Sequence, residues 1–218
     1  MERVRFRSGK LELEGMLSLP GKNPAPLRAV IAHPHPQFGG SLDNNVVCAL
    51  FDALVDFGAL ALRFNFRGVA GSQGSYGNIE GEAEDIIAAA KFLETVKGAG
   101  INRLLLAGYS FGGLAALHAM ARGLAPEALV LVSPMIPEGG FLASAELKNI
   151  IPLKMPALIL SGERDDFFDH TLYQPLLKVA KTPARLLVVK NADHFWDGQT
   201  RELKKAVSEF LNSLPTAA

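Results

Sequence analysis

The pentapeptide Gly108-Tyr109-Ser110-Phe111-Gly112 sets a serine between glycines two residues to either side. With a buried strand before it and a helix after it, this spacing predicts a sharp turn. Such a turn forces the serine into a strained backbone conformation, and the glycines remove side chains that would clash. Ser110 Oγ then projects above the sheet edge. The helix starting near Phe111 offers free N–H groups and a positive dipole end to an anion. A serine so placed can attack a carbonyl if a base lies within hydrogen-bond reach and a carboxylate orients that base. Without those partners the same five residues are a glycine-rich turn.

Downstream of Ser110 and outside its own helix stand two histidines, His170 and His194. His194 sits in Asn191-Ala192-Asp193-His194-Phe195-Trp196, a polar turn after an apolar run, which places it at a strand end. His170 falls near a helix start, where a solvated or capping role suits it better. The acid is sought in Gly162-Glu163-Arg164-Asp165-Asp166-Phe167-Phe168, which follows another apolar run. Side chains of adjacent residues diverge, so only one of Asp165 and Asp166 faces His194 easily. Asp169 suits a helix cap, Asp193 a turn and Asp197 the start of the last helix.

A tetrahedral oxyanion needs a second N–H donor beside that of Phe111. The loop His33-Pro34-His35-Pro36-Gln37-Phe38-Gly39-Gly40 is its expected source. Pro34 and Pro36 have no N–H, which leaves His35, Gln37 or Phe38. The prolines would also stiffen the loop. A metal held by His33 and His35 is the competing reading, and the segment offers it no third ligand or carboxylate.

These groups must be positioned by a regular scaffold. Short apolar runs at residues 13–19, 29–33, 59–66, 104–108, 128–133, 157–161 and 185–189 read as strands. Several are continuous rather than alternating, as in strands covered on both faces. Helical patterns fall at 42–57, 80–96, 111–122, 170–180 and 201–214. In the last, Leu203, Ala206, Val207, Phe210, Leu211 and Leu214 form one stripe. Alternation of this kind predicts an α/β fold, an open and mostly parallel sheet with helices on both faces. Ligand sites of such sheets lie beyond the carboxyl ends of the strands, where Ser110, Asp165/Asp166 and His194 all fall.

The 218 residues suffice for one domain, residues 1–218, with no linker-like segment and no internal repeat. Twenty-two Lys and Arg balance 22 Asp and Glu, which argues against a nucleic-acid binder or a polybasic membrane anchor. The lone Cys48 can form neither an internal disulfide nor a multi-cysteine zinc site, and reads as packing in the first long helix. Residues 104–121 contain no Asp, Glu, Lys or Arg, but their glycines, Ser110 and His118 read as strand, turn and helix rather than a membrane span. Met1 to Arg7 lacks the apolar core of a signal peptide, so a cytoplasmic location is expected.

The chain resembles the α/β-hydrolase superfamily, and within it the small bacterial serine hydrolases near dienelactone hydrolase. The resemblance runs through His33-Pro34-His35-Pro36 with Gly39-Gly40 and Asp43-Asn44, then Arg63-Phe64-Asn65-Phe66-Arg67-Gly68 with Gly71-Ser72. It continues through the Ser110 pentapeptide, Gly162-Glu163-Arg164-Asp165 and Asp193-His194-Phe195. It implies the α/β-hydrolase fold, with Ser110 as nucleophile, Asp165 as acid, His194 as base, and Phe111 and His35 as oxyanion donors. Arg67 and Ser72 match a loop that is mainly structural. Dienelactone hydrolases carry cysteine where Ser110 stands, and many relatives carry glycine where Pro34 stands.

The expected activity is hydrolysis of small to medium carboxylic esters or thioesters through an acyl-enzyme, with no metal and no organic cofactor. A non-catalytic scaffold on the same fold and an amidase or peptidase-type acyl hydrolase are the alternatives. Residues 135–154 stand where a short lid would. Phe38, Met135 and Phe195, in strand-end loops, are candidates for contact with the substrate. A small-molecule ester is the expected partner, without nucleic acid or membrane, the chain being a monomer or homodimer.

Overall fold

The computed structural model describes residues 1–19, 25–96, 103–177 and 183–215. Its strands are β1 (Glu2–Ser8), β2 (Leu11–Ser18), β3 (Leu27–Ala32), β4 (Leu60–Phe64), β5 (Arg103–Tyr109), β6 (Ala128–Val132), β7 (Ala157–Arg164) and β8 (Ala184–Asp193). The helices are α1 (Asn45–Phe57), α2 (Glu80–Thr95), α3 (Phe111–Ala121), the single turn α4 (Gln174–Leu177) and α5 (Thr200–Ser213). The strands form one sheet in the order β1-β2-β4-β3-β5-β6-β7-β8. β2 pairs antiparallel with β1 and with β4, and every other pairing is parallel.

The continuous apolar strands are central, as burial on both faces requires. All residues of β3 and β6 are buried, and in β5 only Arg103 is partly exposed. One face of the sheet carries α2 and α3 over Leu106, Leu129, Leu131 and Ile159. The other carries α1 and α5 over Ile31, Leu105, Val130 and Leu160. The stripe read along residues 203–214 is buried in α5 as far as Leu211.

Three elements differ from the sequence reading. β1 was not expected: Arg3, Arg5 and Arg7 alternate with Val4 and Phe6, so this edge strand has one polar face and no continuous apolar run. Phe66 lies beyond the end of β4, because its N–H donates to the ring of His33 instead of to a ladder. The helix expected at 170–180 is a 3₁₀ turn (His170–Tyr173) followed by α4, and residues 178–180 lie outside the described residues. Asp169 caps that turn, its carboxylate accepting from Thr171 N–H at 2.8 Å, as read from the sequence.

A lid is not shown at residues 135–154. Phe141, Leu147 and Leu153 are buried in the core, and Glu146 Oε2 lies 2.9 Å from His118 Nδ1 on α3. Most of the segment's large apolar side chains pack beneath it, against the sheet and α3, while Leu142 is exposed. Among the described residues no helix is long and apolar enough to cross a membrane.

The Arg63–Ser72 loop is held by its own hydrogen bonds. Arg67 Nη2 and Nε both reach Asp85 Oδ1, at 2.8 and 3.2 Å, and Asp85 is fully buried on α2. Ser72 Oγ donates to the Asn65 carbonyl at 2.7 Å and accepts from Glu14 N–H at 3.0 Å. These residues tie β2, β4 and α2 together, which accords with a structural loop.

Candidate active site

Ser110 sits between β5 and α3 at φ 51° and ψ −118°. A non-glycine residue in this region costs on the order of 1–3 kcal/mol and persists only where its surroundings enforce it. The enforcing contacts are identifiable. Ser110 N–H donates to the Val132 carbonyl at 2.9 Å, and its own carbonyl accepts from Gly113 N–H at 3.0 Å and Met135 N–H at 2.9 Å. A Cβ on Gly108 would stand 2.5 Å from the Gly112 carbonyl oxygen, and one on Gly112 would overlap the carbonyls of Ala32 and His33. The spacing of the two glycines is therefore a packing requirement between β3, β5 and α3.

The candidate acid and base, Asp165 and His194, are brought together by strand register. Arg164 of β7 pairs with Asp193 of β8, across an irregularity that follows Gly162. The next residue of each strand is Asp165 and His194. A Cβ at Gly162 would collide with the Ala192 carbonyl, so glycine lets the two strand ends approach. His194 Nδ1 lies 2.9 Å from Asp165 Oδ2 and 3.1 Å from Oδ1, while its Nε2 lies 3.1 Å from Ser110 Oγ. An ionised carboxylate only accepts hydrogen bonds, so Nδ1 carries the ring proton and Nε2 is left to accept from the Ser110 hydroxyl.

Asp165 is enclosed, which by itself would raise its pKa. Hydrogen bonds from His194 and Ser133, the charge of His194 and the Phe168 N–H more than offset that and hold it below the usual carboxylate value. Asp165 Oδ1 accepts from the N–H groups of Phe167 and Phe168, both at 3.1 Å. Asp166 has no such place. His170 is partly exposed at the start of the 3₁₀ turn, where Asp169 makes the cap.

A further layer supports these groups. Tyr109 Oη donates to the His194 carbonyl at 2.8 Å. Trp196, fully buried, donates from Nε1 to Ser133 Oγ at 3.3 Å and from its backbone N–H to Asp193 Oδ1 at 2.8 Å. Ser133, itself at φ 39°, thus links the Trp196 indole to the Asp165 carboxylate. The sequence reading missed Tyr109 and Ser133. The only signal was position: Tyr109 adjoins the turn serine, and Ser133 ends the run at 128–133.

The first loop is organised around its two histidines. His33 is buried, with Nδ1 2.6 Å from the Pro34 carbonyl and Nε2 accepting from Phe66 N–H at 3.0 Å. Both ring nitrogens are engaged, so His33 has no lone pair to offer a metal. Burial lowers its pKa to about 4. Of the three candidate oxyanion donors, Phe38 N–H bonds the His35 carbonyl at 3.1 Å and Gln37 N–H bonds His35 Nδ1 at 3.2 Å. His35 N–H has no partner among the described residues. Phe111 N–H, at the first position of α3, has none within the helix. The two loops touch, the His35 and Phe111 ring centroids standing 4.6 Å apart.

The aromatic residues of the strand-end loops divide between core and surface. Phe111, Phe141 and Trp196 are buried, whereas Phe38, Phe167 and Phe195 are exposed. Phe38 rests on His35 and Phe195 on His194, with ring centroids 4.7 and 5.8 Å apart. The surface clefts of about 270–650 Å³ described along the sheet are lined by none of Ser110, Asp165 and His194.

An eight-stranded sheet of this order, with a serine on the strand–turn–helix after β5, has the architecture of the α/β hydrolases. The chain belongs to the alpha/beta hydrolase domain family, matching it over residues 28–213. A solved α/β serine hydrolase homologue from Coxiella burnetii is 28% identical, with a TM-score of 0.83 over 98% of this chain and 97% of that one. A Xanthomonas campestris α/β serine hydrolase without a lid is 26% identical, with a TM-score of 0.80 over 100% and 96%. An uncharacterised protein of Rickettsia prowazekii is 29% identical over 97% of this chain and 89% of its own length. Family and fold together make the chain a hydrolase.

Proposed function

We propose that the chain is a serine hydrolase of small to medium carboxylic esters or thioesters, acting through Ser110, His194 and Asp165. The observation that carries this reading is the continuous relay from Ser110 Oγ to His194 Nε2 and from His194 Nδ1 to Asp165. His194 takes the hydroxyl proton as Ser110 Oγ forms a bond to the carbonyl carbon, and Asp165 stabilises the imidazolium. Phe111 N–H and His35 N–H hold the oxyanion, each such donor contributing about 10²–10³ in kcat. The carbonyl–leaving-group bond then breaks, and His194 passes its proton to the departing oxygen or sulfur. Water, deprotonated by the same histidine, adds to the acyl-enzyme and frees Ser110.

The short loops between the strands and helices around Ser110 favour compact substrates. A fluorophosphonate probe should label the protein at Ser110, and Ser110→Ala should abolish the labelling. Hydrolysis of p-nitrophenyl esters from C2 to C12 by the wild type, and not by Ser110→Ala, would establish ester cleavage. Labelling that persists in Ser110→Ala would overturn the assignment.

A further inference from the structure

All 13 phenylalanines lie within the described residues, and only three of them are exposed: Phe38 at 85%, Phe167 at 61% and Phe195 at 53%. Each rests on a histidine of the site. Phe38 lies on His35, while Phe167 and Phe195 lie on His194 at centroid distances of 4.7 and 5.8 Å. Phe167 and Phe195 also meet each other edge to face, at 5.6 Å and 87°. Solvent-exposed apolar surface gathered at one place marks a contact site for a ligand or partner.

The backbone beneath the two rings beside His194 is anchored. Phe167 N–H is anchored on Asp165 Oδ1 at 3.1 Å, and the Phe195 carbonyl accepts from Asn45 Nδ2 at 3.0 Å. The main chain that carries them is thus placed before any substrate arrives, and the rings meet His194 and each other.

The chemistry decides which part of a substrate meets them. In the tetrahedral adduct on Ser110 the oxyanion points to the N–H groups of Phe111 and His35. The leaving oxygen must point to His194 Nε2, which protonates it. What is attached to the leaving oxygen then runs past the imidazole, whereas the acyl chain leaves the carbonyl carbon in a different direction. The exposed rings against that imidazole are Phe167 and Phe195.

Resting on the ester-hydrolase reading above, we infer that Phe167 and Phe195 form an aromatic leaving-group subsite, and that the chain prefers esters of flat aryl or arylmethyl alcohols.

The test holds the acyl group at acetyl and compares benzyl with cyclohexylmethyl esters, which match in bulk and differ in flatness. The wild type should show a higher kcat/KM for the benzyl ester. Phe167→Leu and Phe195→Leu, which keep apolar bulk, should each lower the benzyl-to-cyclohexylmethyl ratio about two- to tenfold, the span expected of one aromatic contact. Fluorophosphonate labelling of each variant shows that it is folded with its serine active. A ratio near one in the wild type, or a ratio unmoved in both labelled variants, overturns the subsite and leaves the hydrolase reading standing. Loss of Ser110 labelling in the wild type removes both.

Discussion

Tyr109 Oη donates to the backbone carbonyl of His194 at 2.8 Å, so the residue preceding the turn serine holds the loop that carries its histidine. Two strand ends that are 85 residues apart in the chain are joined by one buried hydrogen bond. The phenol is enclosed, and burial together with the charges of Asp165, Asp193 and Asp197 pushes its pKa up, so it remains a donor at any ordinary pH.

Tyr109→Phe should leave the His194 carbonyl buried without its partner. The expected cost is about 1–3 kcal/mol, read as a lowered urea midpoint. Ester turnover should fall mainly in kcat, because the imidazole loses its setting rather than the substrate its contacts. A variant with wild-type stability and kcat would show that the bond does no positioning.

Asp165→Asn should reduce kcat by about 10⁴ while Ser110 stays in place, as a wrongly oriented imidazole does in serine hydrolysis generally. Its effect on stability has a direction too. The folded state favours the ionised form of Asp165, so that contribution is complete above about pH 4 and fades as the pH drops through the lowered folded value. Urea midpoints between pH 5 and 2 should therefore decline less steeply in Asp165→Asn than in the wild type. Equal slopes would contradict the lowered pKa.

His33 produces a separate acid dependence at higher pH. Its pKa is about 4 when folded and 6.5 when unfolded, so the unfolded chain binds the extra proton between these values. Stability should be complete above about pH 6.5 and fall by roughly 3 kcal/mol as the pH approaches 4. In His33→Gln this part of the slope should vanish, although the variant starts less stable. Urea titrations at pH 7, 5.5 and 4.5 distinguish the two, and a wild type with constant stability across them would refute the burial argument.

Arg67→Ala strips the fully buried Asp85 of its guanidinium partner. Removing one member of a buried pair costs about 3–5 kcal/mol, because the remaining charge has no compensation. Arg67→Lys should recover only part of this, since an ammonium cannot reproduce the paired contacts to the carboxylate at 2.8–3.2 Å. Full rescue by lysine, seen in thermal melts, would argue against the forked geometry.

The central strands and the serine turn were legible because burial on both faces leaves continuous apolar runs, and because the turn cannot be made without Gly108 and Gly112. β1 was not, since its arginines interrupt every second position. The pairing of Asp165 with His194 follows from the β7–β8 register, and sequence spacing alone left Asp165 and Asp166 equivalent. Ser133, Tyr109 and Trp196 come from three different strand ends, so nothing local marks their meeting at Asp165 and His194. The segment 135–154 has the right position for a lid, and only its packing shows that Phe141, Leu147 and Leu153 draw it into the core.

The contact of Gly112 with the carbonyls of Ala32 and His33 has a mechanical consequence. Gly112 follows Phe111 directly, and His33 stands two residues before His35. The backbone just after the Phe111 N–H is thus wedged against the backbone that leads into His35. If these two N–H groups hold an oxyanion as proposed, drawing their supports apart would first have to separate β3 from α3.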